Sequence, residues 1–94
     1  MDGEQVVGLA NAAKQTHFIL KKIGHALQEL GSSLKDVTRT RTYVTNITDW
    51  ESIGSVHGEF FAEIRPAATM VEVSRLIKPE LLVEIEVTAV VENK

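Results

Sequence analysis

The sequence predicts an α+β fold, a small sheet with two helices packed on one face. Two stretches repeat apolar residues at steps of three and four, and three others alternate with period two and are rich in β-branched residues. Their order along the chain is helix, strand, helix, strand, strand. A chain of 94 residues, 44% of them apolar, fits one domain, 1–94, around one core, and laying both helices on one side of the sheet buries every apolar stripe.

The first helix is carried by Leu9, Ala13, Thr16, Leu20, Ile23, Leu27 and Leu30, while Lys14, Lys21, His25 and Gln28 fall elsewhere on the wheel. Gly31 follows the last periodic residue, where a glycine takes positive φ at no steric cost, and Ser32 and Ser33 continue the turn. From Val37 to Val44 the chain alternates, with Val37, Arg39, Arg41 and Tyr43 on one side and Thr38, Thr40, Thr42 and Val44 on the other.

Thr48 and Glu51 have capping-box spacing for a second helix, with Trp50, Ile53, Val56 or His57, Phe60 and Phe61 on its apolar side. It ends before Pro66, because the residue preceding a proline is disfavoured in the α region. Gly54 and Gly58, four apart inside this helix, read as a point of close backbone approach.

The last third reads as a strand within Arg65–Leu76, a short turn, and a strand within Leu81–Val91. The expected helix-covered face is Thr38, Thr40, Thr42 and Val44 with Val71, Val73, Val83, Ile85 and Val87. The expected open face gathers Arg39, Arg41, Tyr43, Ala68, Met70, Glu72, Glu84, Glu86 and Thr88. Arginines against glutamates there form cross-strand pairs. A three-stranded sheet with an uncovered face and open edges points to self-association.

Composition narrows the chemistry. There is no cysteine, so disulfides, thiolate metal sites and cysteine nucleophiles are excluded. Net charge is −3 with dispersed basic residues, and Lys14, Lys21 and Lys22 read as a solvated helix face, which disfavours nucleic acid as a partner. No stretch has the length of a membrane span and the start lacks a secretory pattern, so no membrane is expected and the cytoplasm is the default location. His17 and His25, eight apart, lack the spacing of helical metal ligands, and no metal or cofactor is expected. His57 reads as a packed or edge histidine, and Phe18, Trp50, Phe60 and Phe61 as packing residues.

The segments Leu34–Val37, Thr42–Ile47, Phe60–Phe61, Arg65–Ala67, Val71–Val73 and Val83–Glu86 resemble, in order, those of the RidA/YjgF family, the reactive imine/enamine deaminases also described as endoribonuclease L-PSP-like. The resemblance implies a chorismate-mutase-like fold, a homotrimer whose sheets pack into a barrel, and ligand clefts between subunits. It makes Glu84 the candidate that positions the hydrolytic water and implies a small carboxylate-bearing metabolite as ligand. It also implies that the family's N-terminal hairpin is largely missing from this polypeptide.

The family arginine that grips the substrate carboxylate matches Ala68 here, so the resemblance does not carry the family's 2-iminobutanoate/2-iminopropanoate deamination across to this chain. The candidate site is therefore Glu84 as the catalytic residue, with Arg41, Tyr43, Ala68 and Met70 binding substrate and Arg41 as substitute clamp, backed by Arg39 and Arg65. Three functional readings stand: binding or hydrolysis of a small imine, enamine or carbonyl metabolite; a non-catalytic sensing, chaperone-like or protein-interaction trimer; and single-stranded RNA cleavage, for which no basic groove is present.

Overall fold

A computed structural model describes residues 11–91. Helix α1 (Ala12–Glu29) is followed by strand β1 (Val37–Val44), helix α2 (Trp50–Phe61) and strands β2 (Ala67–Glu72) and β3 (Val83–Ala89). The order of elements is the one the periodicity predicts.

Helix α1 begins at Asn11, whose Oδ1 accepts from the Lys14 N–H at 2.9 Å. It ends where Gly31 takes φ +81°, with the Gly31 N–H donating to Gln28 O and the Ser32 N–H to Leu27 O. That reciprocal pair is a Schellman closure, as the glycine predicts. Leu20 is fully buried and Ile19, Ile23 and Leu27 pack against the core, but Leu30 is 80% exposed because the Schellman turn has already left the helix axis. The predicted Leu9 lies outside the described residues.

Helix α2 buries Ile53 and Phe61. Three expectations about it fail. The Thr48–Glu51 capping box does not form, because Asn46 Oδ1 takes both the Thr48 N–H (3.0 Å) and the Thr48 hydroxyl (2.6 Å) in a 3-10 turn ahead of the helix, and Asp49 becomes the N-cap. Trp50, in the first turn, is 56% exposed rather than packed. Nor do the helix glycines mark a close approach: among the described residues nothing lies within 4 Å of a Cβ built on Gly54 or Gly58.

The sheet order is β2-β1-β3, with β1 parallel to β2 and antiparallel to β3. A parallel pair needs a crossover, and α2 is that crossover. The last two strands do not pair with each other but flank β1, and residues 73–82 carry the chain past its end. Gln15, 3% exposed on α1, pins this connection: its Nε2 donates to Glu80 O at 3.0 Å and its Oε1 accepts from the Leu82 N–H at 2.8 Å.

Register decides the faces. A shift between Val37 and Arg39 in the β1–β3 ladder breaks the alternation, so Val37 is buried with Thr40, Thr42 and Val44, and Thr38 is exposed with its hydroxyl on Thr88 O. Val37 and Thr38 thus exchange their expected sides. On β3 the expectation holds, with Val83 and Ile85 buried and Val87 packed against the core. On β2 it is inverted: Ala68, Met70 and Glu72 sit opposite Thr40, Thr42 and Val44 and share their helix side, leaving Val71 on the open side, 37% exposed. Partners in a ladder point the same way, so the pairing with β1 overrules the strand's own valine–glutamate alternation.

Candidate functional site

The open face is built from β1 and β3. Tyr43 lies opposite Glu84, Arg41 opposite Glu86, and Arg39 opposite Thr88. These residues alternate with the buried threonines and valines, so folding the core necessarily turns them outward. Glu86 is the hub, accepting the Tyr43 hydroxyl at 2.9 Å and the Arg41 Nη1 at 3.4 Å. The expected cross-strand arginine–glutamate pairing therefore occurs as Arg41–Glu86. Both partners are solvated, so water screens the pair and it contributes little to stability. Tyr43 first, and Glu86 after it, raise the Arg41 pKa, so the guanidinium is a permanent cation.

Glu84 is exposed on this face, beside Tyr43 across the ladder and two residues from Glu86. The face thus presents one carboxylate engaged by a cation and a phenol, and a second with no hydrogen bond or ion pair among the described residues. Chemically it can accept a proton, orient water, and offer a guanidinium to a carboxylate.

Two predicted site residues are not brought to this face. Ala68 and Met70 belong to the helix side of β2, and Met70 packs against the hydrophobic core. The error came from assigning β2 by its acidic residue: Glu72 looks like an outward residue, but its carboxylate accepts the Ile47 N–H at 2.9 Å at the start of the 3-10 turn. Arg65, the reserve cation, sits at the end of α2 with φ +53° and its N–H on Phe61 O, so it closes the helix in a left-handed conformation.

His57 is a packed residue, as expected. Its ring lies 4.7 Å from that of Phe61 and its Nε2 is 2.9 Å from the Thr40 hydroxyl, under the sheet, where burial lowers its pKa. A surface groove of about 380 Å³ lies on α1, lined by Phe18, Lys21, Lys22, His25, Ala26 and Glu29. Among the described residues no group of three or more metal-ligating side chains converges and no helix is long and apolar enough to cross a membrane.

Comparison with known proteins places this geometry. The model of the endoribonuclease L-PSP family matches residues 1–91. The chain is 40% identical over 84 residues to the 3-aminoacrylate deaminase RutC of Acinetobacter baylyi, a match covering 89% of this chain and 66% of that protein. It is 38% identical to a RutC family protein of Pyrococcus abyssi, again covering 66% of it, so the chain spans slightly under two thirds of the length of these curated relatives.

Among solved structures it is similar to a YjgF/YER057c/UK114 family member from Mycobacterium tuberculosis, with 52% identity, a TM-score of 0.83, and coverage of 84% of this chain and 67% of that one. It is also similar to a Rid family protein from Yersinia pestis, with 33% identity, a TM-score of 0.87, and coverage of 97% and 71%. The α+β architecture, the family segments in order and a family match over nearly the whole chain agree, and this protein belongs to the RidA/YjgF, or endoribonuclease L-PSP, family.

Proposed function

We propose that this chain assembles as a homotrimer through its open sheet face and binds, or hydrolyses, a small imine, enamine or carbonyl metabolite carrying a carboxylate, in clefts between subunits. The observation that carries this reading is the open face itself: Glu84 exposed beside Tyr43, with Arg41 and Glu86 paired next to it. The deaminase activity named for the Acinetobacter relative supports the same class of chemistry.

In this reading Glu84 positions the water and stabilises the cationic imine, and Arg41 exchanges Glu86 for the substrate carboxylate. Ala68, exposed on the other side of edge strand β2, enters the same cleft only when a neighbouring copy presents it, and Met70, packed in the core, takes no part. With Ala68 at the position of the family arginine, 2-iminobutanoate and 2-iminopropanoate are not the expected best substrates. Such hydrolysis uses only water, an acid and an anchor, so no cofactor takes part.

The test is the rate of imine loss in a semicarbazide-trapping assay, with and without the purified protein. Acceleration abolished by Glu84→Gln supports hydrolysis, with a loss of roughly a hundredfold for removal of a general base. A rate no faster than buffer, combined with saturable binding of a 2-oxo acid that Arg41→Ala weakens, favours the second reading, a metabolite-sensing or protein-interaction trimer. Equal 2-oxo acid binding by wild type and Arg41→Ala refutes the clamp.

A further inference from the structure

A groove of about 300 Å³ lies where α1, the 3-10 turn Leu34–Asp36 and α2 meet, on the side of the sheet away from Glu84. That is the lower end of the size range of small-molecule sites, roughly 300–1,000 Å³. The sequence accounts for its place. The Schellman closure at Gly31 brings the 3-10 turn back against α1, and Gly24 receives Leu34, whose Cδ1 would lie 3.5 Å from a Cβ built there.

The floor of the groove is apolar, made by fully buried Leu20 with half-buried Leu34 and Phe60. Its rim is cationic: Lys21 and His25 stand one helical turn apart on α1, Lys35 comes from the 3-10 turn, and all three are exposed. None of its lining residues is a carboxylate, in a chain whose net charge is −3. An anion with an apolar body matches both features, and a lysine ammonium holds a carboxylate as a point charge without a fixed fork geometry.

Two neighbouring grooves limit the charge and shape of that anion. One shares Lys21 and His25 and contains Glu29; the other shares Lys35 and Phe60 and contains Glu59 and Glu63. A second carboxylate reaching into either meets like charge, so a monoanion is favoured. Phe60 is held by an edge contact with the His17 ring at 5.3 Å and gives the floor an aromatic surface, which suits a ligand ring in an offset stack.

We infer that this groove binds a small aromatic monocarboxylate, with its ring on Phe60, Leu20 and Leu34 and its carboxylate among Lys21, His25 and Lys35. The site does not depend on the imine chemistry proposed above.

The experiment is an NMR titration of the nitrogen-15-labelled protein with 3-phenylpropionate. Saturable shifts are expected at the amides of Gly24, His25, Leu34, Lys35 and Phe60. Three control ligands divide the contributions: 3-phenylpropan-1-ol lacks the charge, propionate lacks the ring, and benzylsuccinate adds a second carboxylate. Each should bind about tenfold more weakly or not at all. The double variant Lys21→Glu, Lys35→Glu, which changes two exposed side chains, should weaken 3-phenylpropionate binding by about tenfold or more. It should leave the rate of imine loss in the trapping assay as it is in wild type, so this site and the open-face reading fail separately. Shifts confined to Tyr43, Glu84 and their neighbours, equal binding of the acid and the alcohol, or undiminished binding by the double variant would each overturn the proposal.

Discussion

Half-buried His57 and buried Gln15 tie the helices to the strands, and each makes a measurable claim. The neutral His57 ring meets the Thr40 hydroxyl beneath β1, and burial lowers its pKa from the ordinary value of 6.5. The unfolded chain then binds a proton more readily than the folded one, so this contribution to stability is complete above about pH 6.5 and is lost as pH falls towards the folded-state pKa. Thermal melts between pH 7.5 and 5.5 should show a drop in Tm that His57→Gln reduces. Gln15 is the second: Gln15→Leu leaves the Glu80 carbonyl and the Leu82 N–H without its amide, and should cost ~1–3 kcal/mol in urea denaturation. Gln15 has no signature in the sequence, where it is one polar residue in an amphipathic stretch. His57 was legible as a packed residue, but its partner Thr40 was not, because seventeen residues and a sheet register separate them.

Elements were read correctly wherever a local rule stood alone. Gly31 ends α1 at φ +81° in open space, so a Cβ there meets no neighbour but does meet the left-handed backbone penalty. Gly31→Ala should lower stability by ~1 kcal/mol, measured by chemical denaturation, with no change in the native spectrum. Where two local rules competed, spacing did not decide. Thr48 could cap a helix through Glu51 or join an Asn46 turn, and the turn won because its hydroxyl reaches Asn46 Oδ1 at 2.6 Å. Strand β2 shows the limit of alternation as a guide. Its valines and glutamate alternate as a half-buried strand should, yet the register Thr42↔Met70 puts a methionine in the core and Val71 outside.

For the whole molecule, the open face is the feature with consequences. Val71 is exposed on the side that carries Arg41, Tyr43 and Glu84, and the trimer proposed above would cover it. Val71→Asp should shift the protein from trimer to monomer in sedimentation velocity while leaving its far-ultraviolet circular dichroism intact; a trimer that persists places the interface elsewhere. Of the candidate site, Arg41, Tyr43 and Glu84 were legible as one constellation, since β1 and β3 each alternate cleanly and pair without slip from Arg39 to Val44. Ala68 and Met70 were not, because membership of a face on β2 depends on its partner strand.

The sequence by itself determined the elements, the α+β class and the family, because periodicity, the glycine stop and the ordered segments are properties of the chain alone. The tertiary structure alone decided that β1 is central, that Val37 enters the core across a register shift, and that Gln15 ties α1 to the approach to β3. Each of these depends on hydrogen bonds between residues far apart in the chain, and a register step of one residue moves every side chain of a strand to the other face.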